Sequence, residues 1–283
     1  ATRKVAGNFR LYTNHSRATV AFEAMGFQSL PLVLWRKQTN APNKFMGSGM
    51  LPSGAYVTLE HEYILVLRKG DKREFKGTEA ETRRASAFFW EERNIWFSDT
   101  WEFKGIRQTL GKSDARARSA AYPFELAYRL INMYSVLGDT VLDPFLGTGT
   151  TSAASLVAAR NSIGYEIMGD LKDVISETMD RTAYVANQMI LERFQRHQQF
   201  IDQRREARGT PLGHSSGVYG FLVMTRQEEQ MRVYRLDRLS QEGPGHYIAD
   251  HSTAQPDSSA APIVETDGVS SESEDQLGFS FTN

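Results

Sequence analysis

The segment DTVLDPFLGTGTTSAASLVAARNSIGYEI, residues 139–167, constrains the fold more than any other part of the chain. An apolar strand over Thr140–Leu142 runs into Asp143-Pro144-Phe145. A Gly-Thr-Gly-Thr-Thr turn follows, then a helix over Thr150–Arg160, then a second strand over Ser162–Ile167. Each residue type has a physical role. Gly147 and Gly149 let the backbone turn tightly and let a ligand approach without a Cβ in the way. The amides that open the helix point at that ligand, and the helix dipole favours negative charge there. Ala153, Ala154, Ala158 and Ala159 allow close packing of helix on sheet. Glu166, on the second strand, is placed to accept hydrogen bonds from ribose hydroxyls, the logic of nucleotide-binding α/β folds. No Gly-Lys-Ser/Thr follows the turn, so it is not a phosphate loop of the Walker type. Its spacing is not that of a dinucleotide fingerprint either. A purely structural turn remains the alternative reading.

The rest of the chain fits a soluble protein with a sizeable core. There are 283 residues, 40% hydrophobic and 24% charged, within the ordinary globular range. The absence of cysteine excludes disulfide scaffolds, thiolate metal sites and cysteine nucleophiles, and it fits a reducing, cytoplasmic setting. No apolar run is long enough to span a bilayer, and the N-terminus lacks the core of a secretory signal. The lone histidines show no metal-ligand spacing, so no metal is expected. The formal charge of −1 hides a split. Residues 1–118 carry 20 basic and 12 acidic side chains, whereas residues 241–283 carry eight acids and no Lys or Arg. The basic part is a candidate polyanion-binding surface.

Ser16 to Met25 reads as a helix with Ser16 as N-cap and Gly26 as its stop. Leu30–Trp35 and Tyr63–Leu67 read as buried strands. Residues 39–56 form a long loop rich in Gly, Pro, Asn and Ser. Tyr122–Tyr134 is helical. Apolar residues recur at helical spacing from Leu171 to Ile201, with a break expected in so long a run. Val218–Met224 and Met231–Leu236 suggest a late hairpin. From about Gly243 the chain is poor in large apolar residues and reads as disordered.

DPFLGTGTT followed by GYEI resembles motifs I and II of the S-adenosylmethionine-dependent DNA amino-methyltransferases. RSAAYPFELAYRLINMYS, residues 118–135, resembles their motif X. Motif X directly before motif I marks the circularly permuted, beta-class group, in which the catalytic half precedes the cofactor half. LPLVLWRK and EHEYILVLRKG resemble the strands that flank that group's target-site loop. The resemblance covers most of residues 1–170. It implies a Rossmann-like class I methyltransferase fold of the α/β class, circularly permuted, and S-adenosylmethionine as cofactor. Carried over, Asp143, Phe145, Gly147, Thr148, Gly149 and Thr150 form the methionine-side loop, Glu166 holds the ribose, and Ile167 packs on the adenine. Ser119, Pro123 and Phe124 close the methionine end. A plain helix start competes with this role for Pro123 and Phe124, and ordinary core packing competes for Ile167.

The family's catalytic motif is Asp, Ser or Asn followed by Pro-Pro and an aromatic residue. Its oxygens polarise the exocyclic amine and its ring stacks on the flipped base. Here no two prolines are adjacent. In the permuted order this motif would lie upstream of residue 1, so the chain reads as incomplete at its N-terminus or as a subunit completed by another chain. The expected organisation is the end of a catalytic lobe over 1–70, a DNA target-recognition region over 71–118, an S-adenosylmethionine lobe over 119–240, and a disordered acidic tail over 241–283. Arg36, Lys37 and Lys44 would lie near the target pocket, with Arg83, Arg84, Arg116 and Arg118 as candidate DNA contacts. The expected partner is duplex DNA, and a homodimer is left open. The expected function is methyl transfer to N4 of cytosine or N6 of adenine, as in a restriction-modification system. A non-catalytic DNA- and cofactor-binding remnant, an RNA or small-molecule methyltransferase, and an interaction protein built on the long helix stay open beside it.

Overall fold

The computed structural model describes residues 2–5, 8–37, 52–53, 57, 59–105, 122–208, 212–256 and 261–265. It divides into two compact units, one of residues 1–74 and 97–105, the other of residues 75–96 and 106–283. The sequence reading cut the chain at 70, 118 and 240 instead, so its recognition region, 71–118, is shared between the two units. Residues 39–51, 54–56 and 106–118 lie outside the described residues.

The first unit is a set of short strands. β1 (Thr2–Val5) and β2 (Asn8–Leu11) form a hairpin. Helix α1 (Asn14–Ala24) begins after Thr13, two residues before the expected start, so Ser16 lies inside it. Gly26, at φ +86°, stops it as expected, because a left-handed residue cannot continue the helix. None of the residues of α1 is buried. β3 (Phe27–Ser29) pairs with β6 (Leu67–Lys69). β4 (Val33–Arg36) sits between antiparallel β5 (His61–Ile64) and parallel β7 (Thr100–Glu102). The run Tyr63–Leu67, expected as one strand, is divided between β5 and β6. Trp35, Trp101 and Phe103 form the unit's aromatic core, and the Trp35 indole donates to the Phe103 carbonyl at 3.1 Å.

In the second unit α2 (Thr78–Ala85) and α3 (Trp90–Trp96) precede α4 (Phe124–Tyr134). β8 (Thr140–Asp143), α5 (Thr150–Val157) and β9 (Asn161–Gly164) follow, with β8 and β9 parallel and in register from Thr140↔Asn161 to Asp143↔Gly164. This is the expected strand–turn–helix–strand. Ala153, Ala154 and Ser155 are at most 1% exposed, because small side chains let α4 and α6 approach α5 closely. The long helix α6 (Lys172–Arg208) is continuous over 37 residues, without the expected break. It is roughly 55 Å long. It is buried on several faces at mid-length, where Thr182, Ala183, Ala186 and Asn187 are all sequestered.

The C-terminal part departs most from expectation. β10 (His214–Ser215) pairs with β11 (Leu222–Val223). β12 (Tyr234–Gly243) forms its hairpin with β13 (His246–Thr253), not with 218–224 as expected, and β14 (Ile263–Glu265) adds in parallel on the other side. Residues 246–253, expected to be disordered, are therefore a strand. Their composition hides it because alternate residues face water. The partly buried set includes Tyr247, which bonds Ser176 at 2.8 Å, and His251, whose Nε2 donates to the Leu156 carbonyl at 2.8 Å. Residues 266–283 lie outside the described residues.

The sheet is fastened to α6 by Asn187. Its amide donates to the Leu236 carbonyl at 2.8 Å and accepts from the Leu236 amide at 2.9 Å, where the β12–β13 register slips. Asn187→Ala leaves two buried backbone groups unpaired, so urea unfolding should register a loss of about 2–4 kcal/mol. Burial holds the His251 imidazole below its ordinary value. The folded state therefore prefers the neutral ring, and stability falls as pH drops below the free-histidine range of about 6.5. Melting temperatures between pH 7.5 and 5.5 should fall less for His251→Gln than for the parent.

Candidate cofactor site

Two carboxylates fasten the turn between β8 and α5. Asp143, the last residue of β8, accepts the Phe145 amide on Oδ1 at 3.0 Å. Its Oδ2 lies 2.5 Å from the Thr151 hydroxyl and 3.2 Å from the Tyr122 hydroxyl. Glu166 accepts the Gly147 amide on Oε2 at 2.8 Å and the Met168 amide on Oε1 at 2.9 Å. The backbone continues the tie, with the Leu146 amide on the Tyr165 carbonyl and the Tyr165 amide on the Asp143 carbonyl, both at 2.9 Å. The loop is thus stitched to the end of β9 by three bonds. One of them ends on the Glu166 carboxylate, whose second bond holds the chain that leads into α6.

Gly147 and Gly149 sit at φ +58° and +88°, in the left-handed region that disfavours a side chain. A Cβ on Gly149 would also meet Ile175 Cγ2 at 3.3 Å. Gly149 is the N-cap of α5, and no side chain caps that end. Thr148 and Thr150 place their hydroxyls 3.5 Å apart on the same turn. Phe145 and Ile167 are 86% and 98% exposed. Two large apolar side chains held in water, beside carboxylates that keep free lone pairs, suit a ligand with one apolar face and several donors. A cleft of about 1030 Å³ runs along the β9 edge and reaches Glu166, with Leu146, Ile163, Met168 and Lys172 in its wall.

The structure brings Asp143, Phe145, Gly147, Thr148, Gly149, Thr150, Glu166 and Ile167 into one loop cluster. Glu166, assigned from the sequence to a ribose, pins the loop backbone in the structure. Pro123 caps α4 with extended backbone. Phe124 is buried and stacked on Tyr128 at 5.6 Å, so its side chain serves the core. Ser119 lies outside the described residues. The neighbour that reaches the loop from this segment is Tyr122, which the sequence reading missed. Burial pushes its phenol up to about 12, so it is a neutral donor at ordinary pH. Nothing in its sequence context marks it, because a tyrosine before a helix is an ordinary packing residue.

The basic candidates fall in both units. In the first, Arg36 pairs with Glu102 at 3.2 Å and Glu60 at 3.4 Å, and its hydrogen bond to Glu102 raises its affinity for the proton. Lys37 pairs with Glu62 and lies over the Trp35 ring. In the second, Arg83 lies over the Phe75 ring, and Arg84 donates to Gln230 at 2.7 Å. Lys44, Arg116 and Arg118 lie outside the described residues. Glu91, His197 and Glu228 bring ligand-type atoms within 4.8 Å of one another. Both ring nitrogens of His197 are spent, on Glu91 and on the Leu222 carbonyl. Glu228 is likewise committed to the Trp90 and Thr225 amides. No described helix is long and apolar enough to cross a membrane.

Residues 5–177 match the DNA methylase family N6_N4_Mtase. The chain belongs to that family. The match ends in the first turns of α6, so β10–β14 lie beyond it. Type II methyltransferase M.MthZI of Methanothermobacter thermautotrophicus is 53% identical over 236 residues, which are 83% of this chain and 65% of that protein. Type II methyltransferase M.MjaI of Methanocaldococcus jannaschii is 54% identical over 177 residues, 62% of this chain and 57% of that one. The chain therefore spans less than two thirds of the length of these relatives. Among solved structures, a protein described provisionally as a DNA modification methylase of Thermus thermophilus, complexed with S-adenosyl-L-methionine, is 30% identical. It superposes with a TM-score of 0.50 over 64% of this chain and 65% of that one. The fold of the chain is of the mixed α/β class.

The loop geometry makes a direct prediction. Gly149→Ala adds a contact with Ile175 to the strain of a left-handed residue, whereas Gly138, at φ +77°, has nothing within 4 Å of its would-be Cβ. Both substitutions cost about 1–2 kcal/mol of backbone strain. Melting curves should show the larger loss for Gly149→Ala.

Proposed function

We propose that this chain is the cofactor-binding part of an S-adenosylmethionine-dependent DNA methyltransferase acting on an exocyclic amine, N4 of cytosine or N6 of adenine, in duplex DNA. The observation that carries the reading is the loop cluster, in which Asp143 and Glu166 frame a glycine turn between exposed Phe145 and Ile167. The matched family and the cofactor complex of the Thermus protein support it. The names of the archaeal relatives support a Type II restriction-modification setting. Motif X on α4 precedes motif I on β8 and α5, which supports the permuted order.

When bound, S-adenosylmethionine supplies an electrophilic methyl on a sulfonium. This chain's residues bind and orient it. Asp143 keeps a free lone pair on Oδ1 for an ammonium donor, and Glu166 keeps lone pairs for ribose hydroxyls. Ile167 offers an apolar platform for the adenine, and the Gly147–Gly149 backbone lets the methionine end approach. The bound cofactor would give its methyl to the amine directly, leaving as the thioether while the amine gives up a proton, and these residues would contribute by positioning it. Arg36, Lys37, Lys44, Arg83, Arg84, Arg116 and Arg118 are the proposed phosphate and base-edge contacts.

Isothermal titration with S-adenosylmethionine tests the reading. The parent chain should bind it, and Asp143→Ala should weaken binding by at least about tenfold, the effect of losing one charge-assisted hydrogen bond. A folded parent chain that binds no S-adenosylmethionine, or an Asp143→Ala variant that binds as well as the parent, overturns it.

A further inference from the structure

We propose that Tyr122 and Thr151 are positioning residues that together set the Asp143 carboxylate for the amino-acid end of the cofactor. The inference rests on the cofactor reading above and deepens it. The Thr151 hydroxyl reaches Asp143 Oδ2 at 2.5 Å, and the Tyr122 hydroxyl lies 3.2 Å from the same oxygen and 2.5 Å from Thr151 Oγ1. Three oxygens therefore form one closed triangle. Whichever way the hydroxyl protons run, one hydroxyl donates to the carboxylate and the two hydroxyls bond each other. A chain of this kind polarises along its length and holds its terminal acceptor more firmly than either bond alone.

The triangle decides how much of Asp143 a ligand can use. Oδ2 is enclosed by the two hydroxyls, and Oδ1 accepts the Phe145 amide. A carboxylate oxygen accepts two hydrogen bonds, so Oδ1 keeps one position open to a ligand, while the second position on Oδ2 faces the hydroxyl that does not donate to it. The side chain is thereby locked in one rotamer and presents a single site to a donor such as an ammonium. The three residues come from three elements: Tyr122 precedes α4, Asp143 ends β8, and Thr151 lies in the first turn of α5. The contact thus transmits the position of α4 to the cofactor loop. Burial keeps the Tyr122 phenol protonated, so the donor is present across the working pH range. Phe124, the aromatic residue of the same segment that the family pattern singles out, is committed to the core. Tyr122 takes over the link between that segment and the loop.

The test compares two ligands in calorimetric titrations. S-adenosylmethionine carries the amino-acid end, and 5′-methylthioadenosine lacks it. Tyr122→Phe and Thr151→Val should each weaken S-adenosylmethionine by about tenfold, as expected for one hydrogen bond to a charged group, and leave 5′-methylthioadenosine within about twofold. Thr151→Ser keeps the hydroxyl and should bind as the parent does. The double variant Tyr122→Phe with Thr151→Val should lose no more than about the larger single effect, because the residues act as one unit. The proposal is overturned if Tyr122→Phe binds S-adenosylmethionine like the parent, if both ligands weaken equally, if Thr151→Ser is as impaired as Thr151→Val, or if the double loss is the product of the single ones. Each of these outcomes leaves the parent's cofactor binding intact. A parent chain that binds neither ligand overturns the cofactor reading itself, and this proposal with it.

Discussion

Two carboxylates hold the glycine turn, and the rest of the site depends on that hold. A turn of two left-handed glycines has few conformational restraints of its own and costs entropy to order. Asp143 and Glu166 supply that order from the ends of adjacent strands. Asp143 takes the amide that follows Pro144 and the hydroxyl of the first helical turn, and Glu166 takes amides on both sides of the gap. Both are charged acceptors bonded to neutral donors, which makes these bonds stronger than ordinary ones. Because β8 and β9 are in register, the two chains leave the sheet at the same level, and the loop is clamped between them.

Everything behind the loop serves to hold β8 and α5 still. α5 is lined with alanines and serine because α4 and α6 press against it. α6 in turn passes under the C-terminal hairpin, which is pinned by Asn187, by the Tyr247–Ser176 bond and by the His251 bond to the last turn of α5. The residues beyond the family match thus act on the loop indirectly, by backing the helix that follows it. In front of the loop the situation is reversed. Phe145, Ile167, Leu142 and Tyr165 are all at least 60% exposed, an apolar surface set around polar acceptors.

The βαβ core was legible in the sequence because its signals are local. Apolar strands, paired glycines and a small-residue helix specify β8, α5 and β9 within one to three residues of their observed ends. Of the site, the loop residues and Glu166 were legible for the same reason. What escaped is non-local. The continuity of α6 is hidden because Thr182, Asn187, Arg193 and His197 are buried within it, and buried polar residues interrupt an apolar period unless their partners are known. Asn187 reads as a helix-weakening residue until Leu236, 49 positions away, is seen to use it. β13 was hidden by its solvent-facing half. Tyr122 was hidden because its carboxylate partner lies 21 positions further on, at the end of a strand. The paired acids that offset Arg36 and Lys37 come from β5, its approach and β7, and no linear charge count brings them together.

Hydrogen exchange of the backbone amides, measured with and without S-adenosylmethionine, tests whether the clamped turn holds the cofactor. If the carboxylate-clamped turn is the cofactor site, the ligand slows exchange in the segments 143–151 and 164–169 and leaves 214–256 close to its unliganded rate. Protection confined to the C-terminal sheet, or bound ligand with no protection at Gly147, Gly149 and Met168, contradicts the account.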